Sequence, residues 1–216
     1  MDDPKPDLRA YYEAEVETRV RPLLSSRRAA LADEFARFLS GEGRSSIVDF
    51  GSGPGRDGER FASAGLSYLG VDLAFGNAVL AKELGVTVLQ ADLLAPPFRR
   101  HSFEGGWSMS TLMHFREQDV RQAVVELAGL LRPGSPMLIG MWGGEGGDVV
   151  SEMGVPGHRR YFGLRSQEQN AALLASRSNE IEWSAVWEFG ESEWEYHLFR
   201  LRACNQFGLT DEFSGR

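Results

Sequence analysis

The sequence predicts an α/β fold: a mostly parallel sheet with an antiparallel C-terminal hairpin and an N-terminal helical cap. Three observations predict it. From residue 46, short apolar runs alternate with helical patterns at roughly 20-residue intervals, the rhythm of strands joined by crossover helices. A glycine-rich turn follows the first of these runs, from Gly51 to Gly58. The last two apolar runs are joined only by Gly190-Glu191-Ser192-Glu193, a link too short for a crossover and suited to an antiparallel hairpin.

The elements follow in order. Residues 7–40 are helical in pattern: Leu8, Tyr11, Tyr12, Val16 and Val20 share one face, and Leu31, Phe35, Phe38 and Leu39 another, with Pro22 between them and Gly41-Glu42-Gly43 as the stop. Ile47 to Phe50 reads as a buried strand, Leu66 to Val71 as a second. Ala74 to Leu84 is helical with Gly85 as its C-terminal cap. Val86 to Gln90 and Phe103 to Met109 are the third and fourth strands. Arg116 to Leu131 is an amphipathic helix closed by Arg132-Pro133-Gly134, and Pro136 to Trp142 is the fifth strand. Residues 143–160 read as a glycine-rich loop. Ser166 caps a helix reaching Ser176, with Gln169 completing a capping box. Ile181 to Phe189 and Trp194 to Arg202 form the hairpin. The division expected is a cap over 1–45, a ligand-binding domain over 46–203 and a tail over 204–216.

Composition narrows the function. With 42% hydrophobic residues over 216 positions, the chain can bury a core. No apolar run spans a bilayer, so no membrane partner is expected. The acidic, Pro-rich start has no secretory h-region, and a cytoplasmic location follows as the default expectation. A net charge of −8 argues against unspecific nucleic-acid binding. The single Cys204 excludes an intrachain disulfide and a cysteine-cluster metal site, and His101 and His197 offer no metal spacing, so no metal is expected. Monomer and homodimer are both open.

The chemistry concentrates at strand ends. Glycines after the first strand let the backbone turn and approach a ligand closely. Asp72 stands 21 residues after Gly51, at the end of the second strand, where a carboxylate meets ribose hydroxyls. Gly53 to Gly58 matches the dinucleotide fingerprint literally, which keeps a nicotinamide-dependent oxidoreductase open. Three features point elsewhere. Asp49 lies inside the strand end, where it suits a cationic amino group rather than a pyrophosphate. The glycines also read G-x-G-x-G at 51, 53 and 55. Ala91-Asp92-Leu93 follows the third strand, where an acid can meet an adenine amino group. No Tyr-x-x-x-Lys pair is present, Lys82 being the only lysine besides Lys5.

On these residues, Ile47 to Trp142 resembles the class I S-adenosylmethionine-dependent methyltransferases, whose fold is Rossmann-like. Val48 to Gly55 resembles their first motif, with Ser52 where Cys or Gly is usual. Asp72 matches their ribose-binding acid, Ala91-Asp92-Leu93 their adenine segment, and Leu130 to Gly134 the turn before their fifth strand. The resemblance implies S-adenosylmethionine as cofactor and S-adenosylhomocysteine as product. It implies Asp49 at the methionine amino group, Gly51, Ser52, Gly53 and Gly55 beneath the methionine part, and Asp72 and Leu73 at the ribose and adenine. Asp92 and Leu93 would read the adenine edge, with Met109 and Ser110 beside the sulfonium.

A general base is needed only for a protonated acceptor, and His114, after the fourth strand, is the candidate; capping or ordering the loop is the rival role. Ser110 to Met113 reads Ser-Thr-Leu-Met rather than the Asn/Asp-Pro-Pro-Tyr/Phe of many nucleobase and glutamine N-methyltransferases. Tyr11 is expected over the cofactor and Tyr12 at the substrate, as parts of a helical lid. Trp142 and His158 are the other substrate candidates; the stretch His158-Arg159-Arg160-Tyr161 suits either an acid clamp or a solvated turn. The expected function is methyl transfer to an oxygen or nitrogen of a small-molecule metabolite. The alternatives are an RNA or protein methyltransferase, the oxidoreductase, and a non-methylating protein that keeps the fold as a binding module or a cyclase.

Overall fold

The computed structural model describes residues 3–18, 25–176, 179–188 and 194–204. The chain runs through α1 (Lys5–Thr18), α2 (Ser26–Gly41), β1 (Ser46–Phe50), α3 (Arg56–Ser63), β2 (Ser67–Asp72), α4 (Phe75–Glu83) and β3 (Val88–Gln90). It continues through β4 (Gly106–Met109), a 3-10 turn (Leu112–His114), α5 (Glu117–Leu130), β5 (Pro136–Gly143), β6 (Gly147–Ser151), β7 (Arg160–Leu164), α6 (Gln167–Leu174), β8 (Asn179–Glu188) and β9 (Glu195–Ala203).

Seven strands form one sheet in the order β3-β2-β1-β4-β5-β9-β8. The first five are mutually parallel; β9 pairs antiparallel with β5, and β8 with β9. The mostly parallel sheet with its antiparallel pair is the architecture expected. Strand order reverses beside β1, between β1 and β4, so a crevice opens outside the carboxyl ends of these strands.

Side-chain alternation splits the core into two layers. Val48 and Phe50 face a cluster built with α5 and α6, including Val124, Leu127 and Leu173. Ile47 faces the other side, where Phe35 of α2 and Phe61 of α3 pack on Trp107 at ring separations of 5.6 and 5.2 Å. Burying three such rings together contributes several kcal/mol through apolar area.

Three expectations need correction. Residues 143–160 are not all loop: β6 pairs antiparallel with β7, Val149 opposite Phe162, as a separate two-stranded sheet. Its glycines and short length hid it, and its partner begins only at Arg160. The glycine turn after β1 is shorter than its run of glycines suggested, because Gly55 already serves as the N-cap of α3 at φ 76° and Gly58 lies within that helix. The fourth strand begins at Gly106; Phe103 makes only an isolated bridge to Leu131. The capping box of α6 is present as expected, Ser166 Oγ accepting from the Gln169 amide. Pro22, Val20, Phe189, residues 190–193 of the hairpin link, and 205–216 lie outside the described residues.

Candidate active site

A cavity of about 500 Å³ lies over the carboxyl ends of β1 to β5, within the range of small-molecule sites. Its floor is built from the turns that leave those strands: Gly51, Ser52 and Gly53 after β1, Asp72 and Leu73 at the end of β2, Asp92 and Leu93 after β3, and Met109, Ser110 and Thr111 after β4. Helix α1 closes it from above through Lys5, Leu8 and Tyr12.

The β1 turn is held by positive backbone angles that glycine tolerates, 73° at Gly51 and 55° at Gly53. A Cβ on Gly51 would overlap the Thr111 side chain. The Gly53 amide donates to Asp72 at 2.8 Å, and Asp72 also accepts from the Ala74 amide and the Asn77 amide nitrogen, each at 2.9 Å. One carboxylate thus sets the turns after both β1 and β2. Asp92 accepts from Lys5 Nζ at 2.6 Å, tying the start of α1 to the third strand end.

Asp49 does not line the cavity. It is buried in β1, where Tyr68 donates to its Oδ2 at 2.9 Å while Oδ1 has no partner. Burial, and then the nearby Asp57 carboxylate, push its carboxyl well above the usual range. Asp57, which does line the cavity, holds Arg28 of α2 at 2.9 Å and the Trp107 indole at 2.9 Å, with its own Oδ1 unpaired. Of the two unpaired oxygens, the one on Asp57 belongs to a cavity-lining residue beside the glycine turn and suits an incoming ammonium group. Sequence reasoning missed both Asp57 and Arg28. Asp57 follows the glycines and was legible as an acid near them; Arg28 lies two elements upstream and carries no local signal.

His114 sits on the 3-10 turn at the other end. Its Nδ1 faces the Tyr161 carbonyl at 2.8 Å, which can only accept, so the proton is on Nδ1 and Nε2 accepts from the Tyr12 hydroxyl at 3.0 Å. Burial lowers its pKa to about 4, with the Arg160 charge acting in the same direction. The imidazole is therefore neutral at pH 7 and a weaker base than an exposed histidine. Tyr196 of β9 and Trp142 of β5 line the same space with their rings 5.2 Å apart, and Trp187 of β8 stacks on Tyr196 at 5.8 Å. Ser110 adopts φ 58°, an uncommon angle for a residue with a side chain, fixed by its amide on the Gly140 carbonyl and its hydroxyl 3.0 Å from Tyr196.

The structure thus brings together Gly51, Ser52, Gly53, Asp72, Leu73, Asp92, Leu93, Met109, Ser110, Tyr12, Trp142 and His114. Four candidates stand elsewhere. Asp49 lies behind the turn, and Gly55 caps α3, where a Cβ would run into the Val86 side chain. Tyr11 does not line the cavity: one residue before Tyr12, about 100° around the helix, it is buried with its ring under the Arg160 guanidinium at 4.1 Å. His158 lines a separate surface depression with Asp7 and Glu152. Among the described residues, no three His, Cys, Asp or Glu side chains gather as metal ligands.

Comparison with known proteins agrees with this geometry. Residues 48–139 match the family model described as a methyltransferase domain. A tRNA (carboxymethyluridine(34)-5-O)-methyltransferase of Arabidopsis thaliana is 28% identical over 150 residues, 67% of this chain but 36% of the plant protein. The chain therefore spans about a third of that relative's length. Among solved structures, a Burkholderia thailandensis 1,6-didemethyltoxoflavin-N1-methyltransferase superposes with a TM-score of 0.70 at 18% identity, covering 95% of this chain and 92% of that one. The [4+2]-cyclase SpnF superposes at 0.65 and 16% identity, covering 92% and 93%. With the cavity over the switch point and the family match running from β1 into β5, residues 48–139 carry a methyltransferase domain, and the solved structures share its fold.

Proposed function

We propose that this protein transfers the methyl group of S-adenosylmethionine to an oxygen or nitrogen of a small-molecule metabolite. The observation that carries the reading is the placement of α1. It roofs the cavity through Lys5, Leu8 and Tyr12, so a polymer strand would have to displace a helix to reach the floor. The net charge of −8 supports it, since RNA binding draws on basic surface.

The residues fit the cofactor. The unpaired buried oxygen of Asp57 suits its ammonium group, Arg28 its carboxylate, Asp72 its ribose diol, and Asp92 with Leu93 its adenine. Bound there, the cofactor supplies an activated methyl group on a sulfonium. What remains for the chain is to exclude water, hold the acceptor in line and keep its reacting atom close. Trp142, Trp187 and Tyr196 supply flat apolar surface at the acceptor end, and the neutral His114 holds the Tyr12 hydroxyl at the cavity wall through Nε2. Among the described residues, no helix is long and apolar enough to cross a membrane, which is consistent with a proposed cytoplasmic location.

A second reading, an RNA acceptor, draws on the name of the plant relative. Tritium-labelled S-adenosylmethionine incubated with the protein and a fractionated cell extract separates the two. Label in the ultrafiltrate of small molecules is the result expected. Label confined to the tRNA fraction would overturn the small-molecule reading.

A further inference from the structure

Arg160 enters the cavity wall from β7. Its guanidinium carbon lies 4.1 Å from the Tyr11 ring centre, 5.1 Å from that of Phe162 and 6.0 Å from that of Tyr12. Its hydrogen bond to the Met153 carbonyl is long, at 3.5 Å, and its Nε is buried without a partner. Among the described residues, no carboxylate pairs with it. Two other cations of the same wall are matched: Lys5 to Asp92 and Arg28 to Asp57. The neighbouring Arg159 points outward to Asp7 at 2.5 Å.

Aromatic faces strip water from a guanidinium without neutralising it. A cation so held has donors left over, and the strongest partner for them is an anionic oxygen. The groups facing Arg160 are Tyr11 and Tyr12 from α1, Phe162 from its own strand, the Met153 carbonyl from the β6–β7 connection, and His114, whose ring is 4.7 Å from that of Phe162. His114 carries no negative charge, and its Nδ1 is engaged by Tyr161. Among the described residues, the Arg160 charge is thus matched by no carboxylate, in the same cavity that Trp142 and Tyr196 line.

We propose that Arg160 is the anion-recognition residue of the acceptor site, and that the acceptor is a flat conjugated molecule bound through an ionised oxygen, as a carboxylate, phenolate or enolate. This rests on the methyltransferase reading of the cavity and names the substrate class for it. An acceptor held as its anion has no proton to lose at the reacting oxygen. A strong base is then unnecessary, which agrees with the weak basicity of the buried His114 imidazole.

The test uses the full chain saturated with S-adenosylhomocysteine and titrated calorimetrically with matched pairs: 4-nitrophenolate against 4-nitroanisole, and 1-naphthoate against 1-naphthamide. At least one anion should bind about tenfold more tightly than its neutral partner, the effect of one charge-assisted hydrogen bond. Arg160→Met should abolish that preference with S-adenosylhomocysteine affinity unchanged. Arg160→Lys should keep part of it, and carries the test if the Met variant does not fold. Arg159→Met should keep all of it. Neutral partners binding as tightly, neither anion binding, or a preference that survives Arg160→Met would each overturn the proposal while leaving the cofactor site intact. Failure of S-adenosylhomocysteine to bind the unaltered chain would overturn the cofactor assignment and this proposal with it.

Discussion

Asp72 organises the end of the cavity formed by the turns after β1 and β2. Its two oxygens accept from the Gly53 and Ala74 amides and from Asn77. Asp72→Ala leaves three donors short of a partner and removes the carboxylate assigned to the ribose. We expect stability to fall by about 1–3 kcal/mol and S-adenosylmethionine affinity to fall at least tenfold, read by denaturant unfolding and calorimetry on one preparation. His114 gives a second prediction at this scale. The unfolded imidazole takes up its proton near pH 6.5, while the buried one resists protonation down to about 4. The unfolded state thus binds the extra proton first, and folded stability drops as pH falls through that window, by about 3 kcal/mol in full. Asp49, with its raised pKa, acts in the opposite sense, so the comparison is with His114→Gln. Thermal melts from pH 7 to pH 4 should show a steeper loss in the unaltered chain. Equal slopes would contradict the lowered proton affinity of the buried imidazole.

At the scale of elements, α1 is a clamped lid. Lys5 holds Asp92, Asp7 holds Arg159, and Tyr12 holds His114. Glu13 reaches the N-terminus of α4, accepting from the Phe75 amide at 2.7 Å and the Gly76 amide at 2.9 Å. Helix α4 has no side-chain cap of its own at Ala74, so Glu13 supplies the missing acceptor from another element. Replacing a cap costs about 1 kcal/mol. Glu13→Ala should therefore loosen α1, raising the Kd for S-adenosylhomocysteine about fivefold and speeding proteolysis within residues 5–18; unchanged cleavage would show that the lid does not depend on this contact.

Elements also mark what the sequence could disclose. Strands β1 to β5, α5 and α6 were legible because each carries its own periodicity and stop signal, and the Ser166 capping box named its helix directly. The β6–β7 sheet was not, because its pairing joins segments nine residues apart across Ser151 to Arg160, with glycines obscuring the first strand. The same distinction governs the site. Asp72 and Asp92 were readable from their position at strand ends. Arg28, Tyr196 and Trp187 reach the cavity only through tertiary packing, and which of Tyr11 and Tyr12 faces inward was decided by the docking angle of α1 rather than by the spacing of adjacent residues.

For the whole molecule, the fold alone does not determine the reaction, since a methyltransferase and a cyclase both superpose on this chain. The proposed reading rests on the combination of acids at strand ends, a buried carboxylate beside a glycine turn, and a roofing helix near Arg160, which pairs with no carboxylate among the described residues. The central claim is that this single cavity is the S-adenosylmethionine site. Calorimetric titration of the full chain with S-adenosylmethionine, S-adenosylhomocysteine and NADH, repeated on Asp72→Ala, tests it most directly. The account predicts one site per chain for both sulfur compounds, none for NADH, and at least tenfold weaker binding in the variant. Binding of NADH in place of the sulfur compounds, or full affinity in Asp72→Ala, would contradict it.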